Sequence, residues 1–212
     1  MKKLSILFVS FLLLASCIDR KTKDDFDYGK VVNGTYINKY FKISINLPKD
    51  WKVQSKETQE QLTKRGEQAA FGDNESLKAQ IKASEVNTAQ LLMVSKYEVG
   101  SPVESNPSFI AIAENIKGLP GIKDGKDYLF HVKKLLGQTQ LNYIIKDGFE
   151  KQTIAGHEFY ILSAQINANG KVMTQNYFST LIDGFCFSFV TTYTSEDENK
   201  ELMDVIKAIK NI

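Results

Sequence analysis

Cysteine, histidine, tryptophan and proline are scarce in this 212-residue chain, which has two, two, one and four of them. Two cysteines, Cys17 and Cys186, cannot form a disulfide framework, and neither belongs to a CxxC redox pair or a cysteine zinc site. An excess of one charge is missing too. There are 27 basic residues against 25 acidic ones, and two of the lysines lie in Met1 to Ser16, so the remainder carries 25 of each. A nucleic-acid binder needs Lys and Arg in excess on one face, so no nucleic-acid partner is expected. Hydrolase signatures are absent as well: no Gly-x-Ser-x-Gly, no His-Glu-x-x-His and no Ser-x-x-Lys placed to activate a nucleophile. The chain is therefore expected not to be an enzyme, and no cofactor, catalytic residue or metal site is expected.

The start of the chain carries the clearest signal. Lys2 and Lys3 precede an apolar run from Leu4 to Leu14, and Leu14-Ala15-Ser16-Cys17 closes it. A membrane-crossing helix needs about 20 apolar residues, so this shorter run is expected to be a signal peptide, residues 1–16, that is removed. An ordinary cleavage site wants small residues at −3 and −1, but Leu14 stands at −3 to Cys17. The tetrapeptide instead resembles a bacterial lipobox. That resemblance implies lipidation of Cys17, which becomes the new N-terminus and holds the protein to the cell membrane or outer membrane, outside the cytoplasm. Each buried methylene contributes about 0.8 kcal/mol, so several acyl chains make release negligible.

Residues 17–33 hold the lipidated cysteine and a charged segment without helical or alternating period, expected to be a tether reaching roughly 20 to 25 Å. Its acids lack the mid-loop glycine and closing Glu of a calcium loop. A single α+β domain is then expected over 34–212. Phe41, Ile43, Ile45 and Leu47 alternate with Lys42, Ser44 and Asn46 as a half-buried strand does. Pro48 to Trp51 turns a corner from which Trp51 and Val53 are expected to return to the core. Ser55 caps a helix over Lys56 to Ala70, and a second runs from Glu75 to Val86. The first has Leu62 as nearly its only large apolar residue, so weak anchoring is expected there. The run Leu91 to Val94 predicts a central strand buried on both faces. Ser108 to Ala113 predicts another strand, and the stripe Tyr128, Leu129, Val132, Leu135 and Leu136 a helix ended by Gly137.

The last third is a meander. Strands are expected over Leu141 to Ile145, Phe149 to Ile154, His157 to Asn167, Lys171 to Ile182 and Phe185 to Tyr193. Ala155-Gly156, Asn169-Gly170 and Asp183-Gly184 punctuate them, and Asn-Gly and Asp-Gly favour two-residue hairpins because both central residues take positive φ. Cys186 falls within Phe185 to Val190 and is expected to fill the core. Ser195-Glu196-Asp197-Glu198 forms a capping box for a final helix presenting Leu202, Val205, Ile206 and Ile209. His131 beside an apolar stripe and His157 after a hairpin glycine are expected to be surface or helix-edge residues.

Tyr36-x-Asn38-x-Tyr40-Phe41-x-Ile43-x-Ile45-x-Leu47-Pro48-x-x-Trp51, the Ala155-Gly156 turn, the Tyr177-containing strand and the terminal helix together resemble the PsbP-like family. That family includes bacterial envelope lipoproteins of the DcrB type. The resemblance covers most of Gly34 to Ile212. It implies an antiparallel β-sheet with helices packed on its faces, an α/β/α sandwich, and a non-enzymatic role in binding or assembly, with no catalytic residues to carry over. Two functions follow: a membrane-anchored interaction module for an envelope protein, or a receptor for a small apolar ligand held between the sheet and Lys56 to Val86. An envelope hydrolase is the remaining alternative.

Overall fold

The computed structural model describes residues 26–212, apart from Val86 and Asn169. The expected signal peptide, Cys17 and the segment 18–25 lie outside the described residues, as does Asn169 of the Asn169-Gly170 turn. The chain opens with β1 (Lys30–Val32), β2 (Thr35–Asn38), β3 (Ile43–Asn46) and β4 (Lys52–Val53). Helices α1 (Lys56–Phe71) and α2 (Glu75–Glu85) follow, then β5 (Thr88–Ser95), β6 (Ser108–Asn115) and α3 (Gly125–Leu136). The remainder is β7 (Ile144–Ile145), β8 (Glu150–Ile154), β9 (His157–Ala168), β10 (Lys171–Ile182), β11 (Phe185–Tyr193), α4 (Glu196–Lys207) and β12 (Lys210–Asn211).

All described strand pairs are antiparallel. A large sheet takes the order β4-β5-β6-β11-β10-β9-β7, with β8 also pairing β9, and a small sheet the order β1-β2-β3-β12. Alternation along the strands gives the large sheet two buried faces. Phe109, Phe159, Phe178, Phe187 and Phe189 pack against α4 and against Tyr36, Phe41, Ile43 and Ile45 of the small sheet. The opposite face holds Leu162 and Ala164 against Leu129 and Leu136 of α3. Gln90, on this second face opposite Ile112, donates to Thr63 of α1 at 2.9 Å, which puts α1 on the same side as α3. The layers are those expected, helices to either side of an antiparallel sheet, with the small sheet beside α4.

Local chemistry explains the elements. Ser195 Oγ accepts from the Glu198 N–H at 3.3 Å while the Glu198 carboxylate accepts from the Ser195 N–H at 3.2 Å, the reciprocal cap foreseen for α4. Ala155 and Gly156 have φ of 49° and 84°, and Asp183 and Gly184 have 49° and 82°, so both pairs make the turn that matches strand twist. Gly170 has φ of 79° and open space around the position of a Cβ, so only backbone strain opposes a side chain there. Gly170→Val is therefore expected to destabilise the domain by about 1 to 3 kcal/mol. A thermal melt matching the parent would refute it.

Four expectations are corrected. The domain begins before Gly34: Phe26 and Tyr28 pack on the core, and β1 pairs with β2 through the turn Asn33-Gly34, whose φ values are 49° and 74°. Phe26 lies 5.4 Å from Phe185 and 5.6 Å from Tyr40, ring centroid to centroid. Asp27 fixes this segment, its Oδ1 accepting from the Gly29 N–H and its Oδ2 from those of Lys39 and Tyr40. Burial works to raise its pKa, but these N–H donors outweigh that and hold it below the ordinary carboxylate value.

Val53 does not return to the core and is 46% exposed, because β4 lies at the sheet edge. The expected central strand, β5, is second from that edge. Its unbroken apolar run arises partly from a register shift between Gln90 and Leu92, which disturbs strict alternation. Leu141 to Ile145 shrinks to Ile144–Ile145, and Ile144 is 74% exposed. In α1 only Gln59 and Phe71 are buried, and glutamines add bonds where apolar residues are few: Gln59 Nε2 donates to the Gln54 carbonyl and Gln140 Nε2 to that of Ala69, both at 2.9 Å. Phe71 and Leu77 bury the ends of the helical pair.

Candidate functional site

Two clefts have Tyr193 in their walls, and the first of them runs along α4. The first has a volume of about 350 Å³. Its floor is the large sheet, where register places Ser163 beside Asn176 and Ile161 beside Phe178 on the α4 side. Gln152 and Glu150 of β8 extend that floor. Asn199 and Met203 of α4 form one wall, and the turn Lys146-Asp147-Gly148 the other.

Its charges are paired. Lys146 Nζ donates to Glu150 Oε1 at 2.6 Å, and this bond raises the lysine's pKa. Asp147 accepts from Lys133 Nζ at 3.3 Å. The amides and hydroxyls are largely unused. Asn176 Nδ2 donates to Tyr193 Oη at 3.3 Å and Asn199 Nδ2 to Glu196 at 3.3 Å, which leaves their amide oxygens free, and the Gln152 and Ser163 side chains bond to none of the described residues. Thr191, opposite Asn176 in the sheet, is 1% exposed, and its Oγ1 is the one buried side-chain polar atom without a partner among the described residues.

The second cleft, of about 470 Å³, lies between the segment Gly100 to Asn106 and the ends of β10 and β11. Lys171 Nζ donates to Glu104 at 2.7 Å and Ser105 Oγ to Glu198 at 3.1 Å, and Asn106 exchanges two bonds with the Tyr97 backbone, so the segment is held along its length. Burial acts to raise the Glu198 carboxyl. The Thr194 N–H, the hydroxyls of Ser105 and Thr194 and the Ser195 N–H overcome it, and the group stays ionised below the usual carboxylate range.

Residues singled out in the sequence lie elsewhere. Cys186 is 1% exposed, and burial pushes its thiol up to about 12, which suits core filling and opposes thiolate chemistry. His131 is exposed on α3 beside Phe130, and His157 is half-buried at the start of β9. Neither borders a cleft. Cys17 lies outside the described residues. Gln152, Ser163 and Asn176 were hidden in the sequence because each sits on a different strand, where it resembles any outward polar position. Among the described residues no helix is long and apolar enough to cross a membrane.

Neither a protein-family model nor a curated protein sequence matches the chain. Solved structures do. The solution structure of cyanobacterial PsbP (CyanoP) from Synechocystis sp. PCC 6803 matches with a TM-score of 0.52 and 13% identity, over 87% of this chain and 96% of that one. The fold is PsbP-like. LpqN, involved in cell envelope biogenesis of Mycobacterium tuberculosis, is also similar, with a TM-score of 0.44 and 16% identity over 79% of this chain and 82% of that one. In this PsbP-like fold the second cleft lies at the end of the large sheet where Lys171 and Thr192 sit, and the first lies over the middle of β9 and β10, at Ile161, Ser163, Asn176 and Phe178. Phe26 stands at the other end, against Phe185.

Proposed function

We propose that this chain is a membrane-anchored lipoprotein of the bacterial cell envelope, a non-catalytic binding or assembly module that works through the two clefts. The observation that carries this is the lipobox ending at Cys17, only nine residues before Phe26. Nine residues span at most about 32 Å when fully extended. The Phe26 end is thereby kept beside the lipid surface. Along β10, Ile182 pairs with Phe185 at that end and Thr174 with Tyr193 at the other. Six residues at about 3.4 Å each, Ile182 to Asn176, put the first cleft roughly 20 Å farther from the membrane, and the second lies beyond it.

A receptor for a small apolar ligand beneath Lys56 to Val86 has less support. Neither cleft borders those residues, and the glutamine bonds of α1 close it onto its neighbours.

A photo-crosslinking residue introduced in cells tests the orientation. At Tyr40, 37% exposed and beside Phe26, it is expected to label phospholipid. At Val172, 52% exposed and between Lys171 and Met173 of the second cleft, it is expected to capture envelope components other than lipid. Lipid labelling at Val172 with none at Tyr40 would overturn the proposal.

A further inference from the structure

The first cleft has a chemical character of its own. Its volume of about 350 Å³ falls within the roughly 300 to 1,000 Å³ typical of small-molecule sites. Ile161, Phe178 and Met203 supply an apolar floor and wall, while Gln152, Ser163 and Asn176 supply amide and hydroxyl groups with bonding capacity unused by the protein. Since Thr191 Oγ1 is the one buried side-chain polar atom left unpaired among the described residues, the free groups of these three face water.

Each of these features selects against some ligands. The rim's charges pair off, Lys146 with Glu150 and Lys133 with Asp147, so the rim carries no net charge to draw in an anion or a cation. An extended peptide would look for an open strand edge, but the floor of this cleft is the face of β9 and β10, each already paired on both sides. A purely apolar molecule would leave Gln152, Ser163 and Asn176 dehydrated and unpaired, which is costly. A sugar ring meets all three conditions. It is neutral, its C–H face is apolar, and its hydroxyl edge both donates and accepts, as amide side chains do.

We propose that the cleft between α4, β8, β9 and β10 is a binding site for a neutral saccharide. The C–H face lies over Ile161, Phe178 and Met203, and the hydroxyls meet Gln152, Ser163 and Asn176. This deepens the binding-module proposal by naming a ligand class for one cleft, and it does not depend on the lipid at Cys17.

The test uses the full chain in micelles of a detergent without sugar groups, with chitotetraose and maltotetraose as probes at about 5 mM, suited to a dissociation constant near 1 mM. Saturation-transfer NMR is expected to show transfer from protein to at least one of them. Gln152→Ala and Asn176→Ala are each expected to weaken that binding at least fivefold, and Lys171→Ala in the neighbouring cleft to leave it unchanged. Thermal melts monitor folding, and Gln152→Ala decides alone if Asn176→Ala melts early. No transfer with either sugar, or equal binding by a folded Gln152→Ala variant, would overturn the site. Crosslinks at Tyr40 and Val172 as expected would then leave the module and remove its ligand class. Saccharide binding with the crosslinks reversed would do the opposite.

Discussion

Cys17→Ala is expected to empty the membrane fraction of this protein. The thiol is the only group at which a lipobox can take its lipid, and each acyl methylene removed from water contributes about 0.8 kcal/mol, so anchoring by several chains is all or none. Among the described residues no helix is long and apolar enough to cross a bilayer, and equal numbers of basic and acidic residues after Ser16 give no net attraction to anionic lipid. Cell fractionation followed by a high-salt wash measures the effect. A variant cleaved to a mature N-terminus that still sediments with membranes would end the lipoprotein proposal.

Gly125→Val is expected to be the most damaging single change within the domain. Gly125 is the buried first residue of α3, and the helix sits so close to β10 that a Cβ there would collide with the Ser179 carbonyl oxygen. The carbonyl carbon would lie at 2.6 Å and the Thr180 nitrogen at 3.2 Å. These are backbone atoms inside a sheet, and they cannot rotate away as the tip of a long side chain does. α3 must lift, which strips cover from Leu162 and Ala164. Overpacking typically costs about 1 to 3 kcal/mol and more where neighbours are rigid, so the upper end or beyond is expected. For a domain of this size, 3 kcal/mol lowers the melting temperature by roughly 6 to 12 °C. Gly121→Val, with open space around it, is the control and should melt as the parent does. A normal melt for Gly125→Val would mean that α3 is not seated this close.

The long meander was legible in the sequence because its signals are local. Lys171 to Ile182 and Phe185 to Tyr193 match the observed strands to the residue, since turn dipeptides bound them and alternation fills them. The capping box likewise fixed the start of α4. The same hairpin signal stood in plain view at Asn33-Gly34, yet the charges of residues 18–33 masked it and the segment was expected to be a tether. What folds it is remote: Phe26 gains its partners from Phe41 and Phe185, and the Tyr28 ring lies against Phe26 and under the Lys56 ammonium, which no window along the chain reveals. The two-residue β12 was invisible for the same reason, and so were the clefts. Gln152, Ser163, Asn176 and Asn199 carry no mutual spacing rule, because four separate elements bring them together.

The pairing of β3 with β12 also dictates when this protein can finish folding. Ser44 faces Lys210 across 166 positions of chain, and Ile212 donates its N–H to the Lys42 carbonyl at 2.9 Å. Tyr36, Phe41, Ile43 and Ile45 have no complete cover until Leu202, Val205 and Ile206 arrive on α4. A chain emerging N-terminus first, from a ribosome or through a translocation pore, must hold those four side chains uncovered while some 150 further residues follow. Contacts so distant in sequence also slow closure, because the loop entropy is spent before the contact forms. The early strands are thus the part of the nascent chain that most needs a chaperone, and the arrival of α4 is the moment at which that need ends.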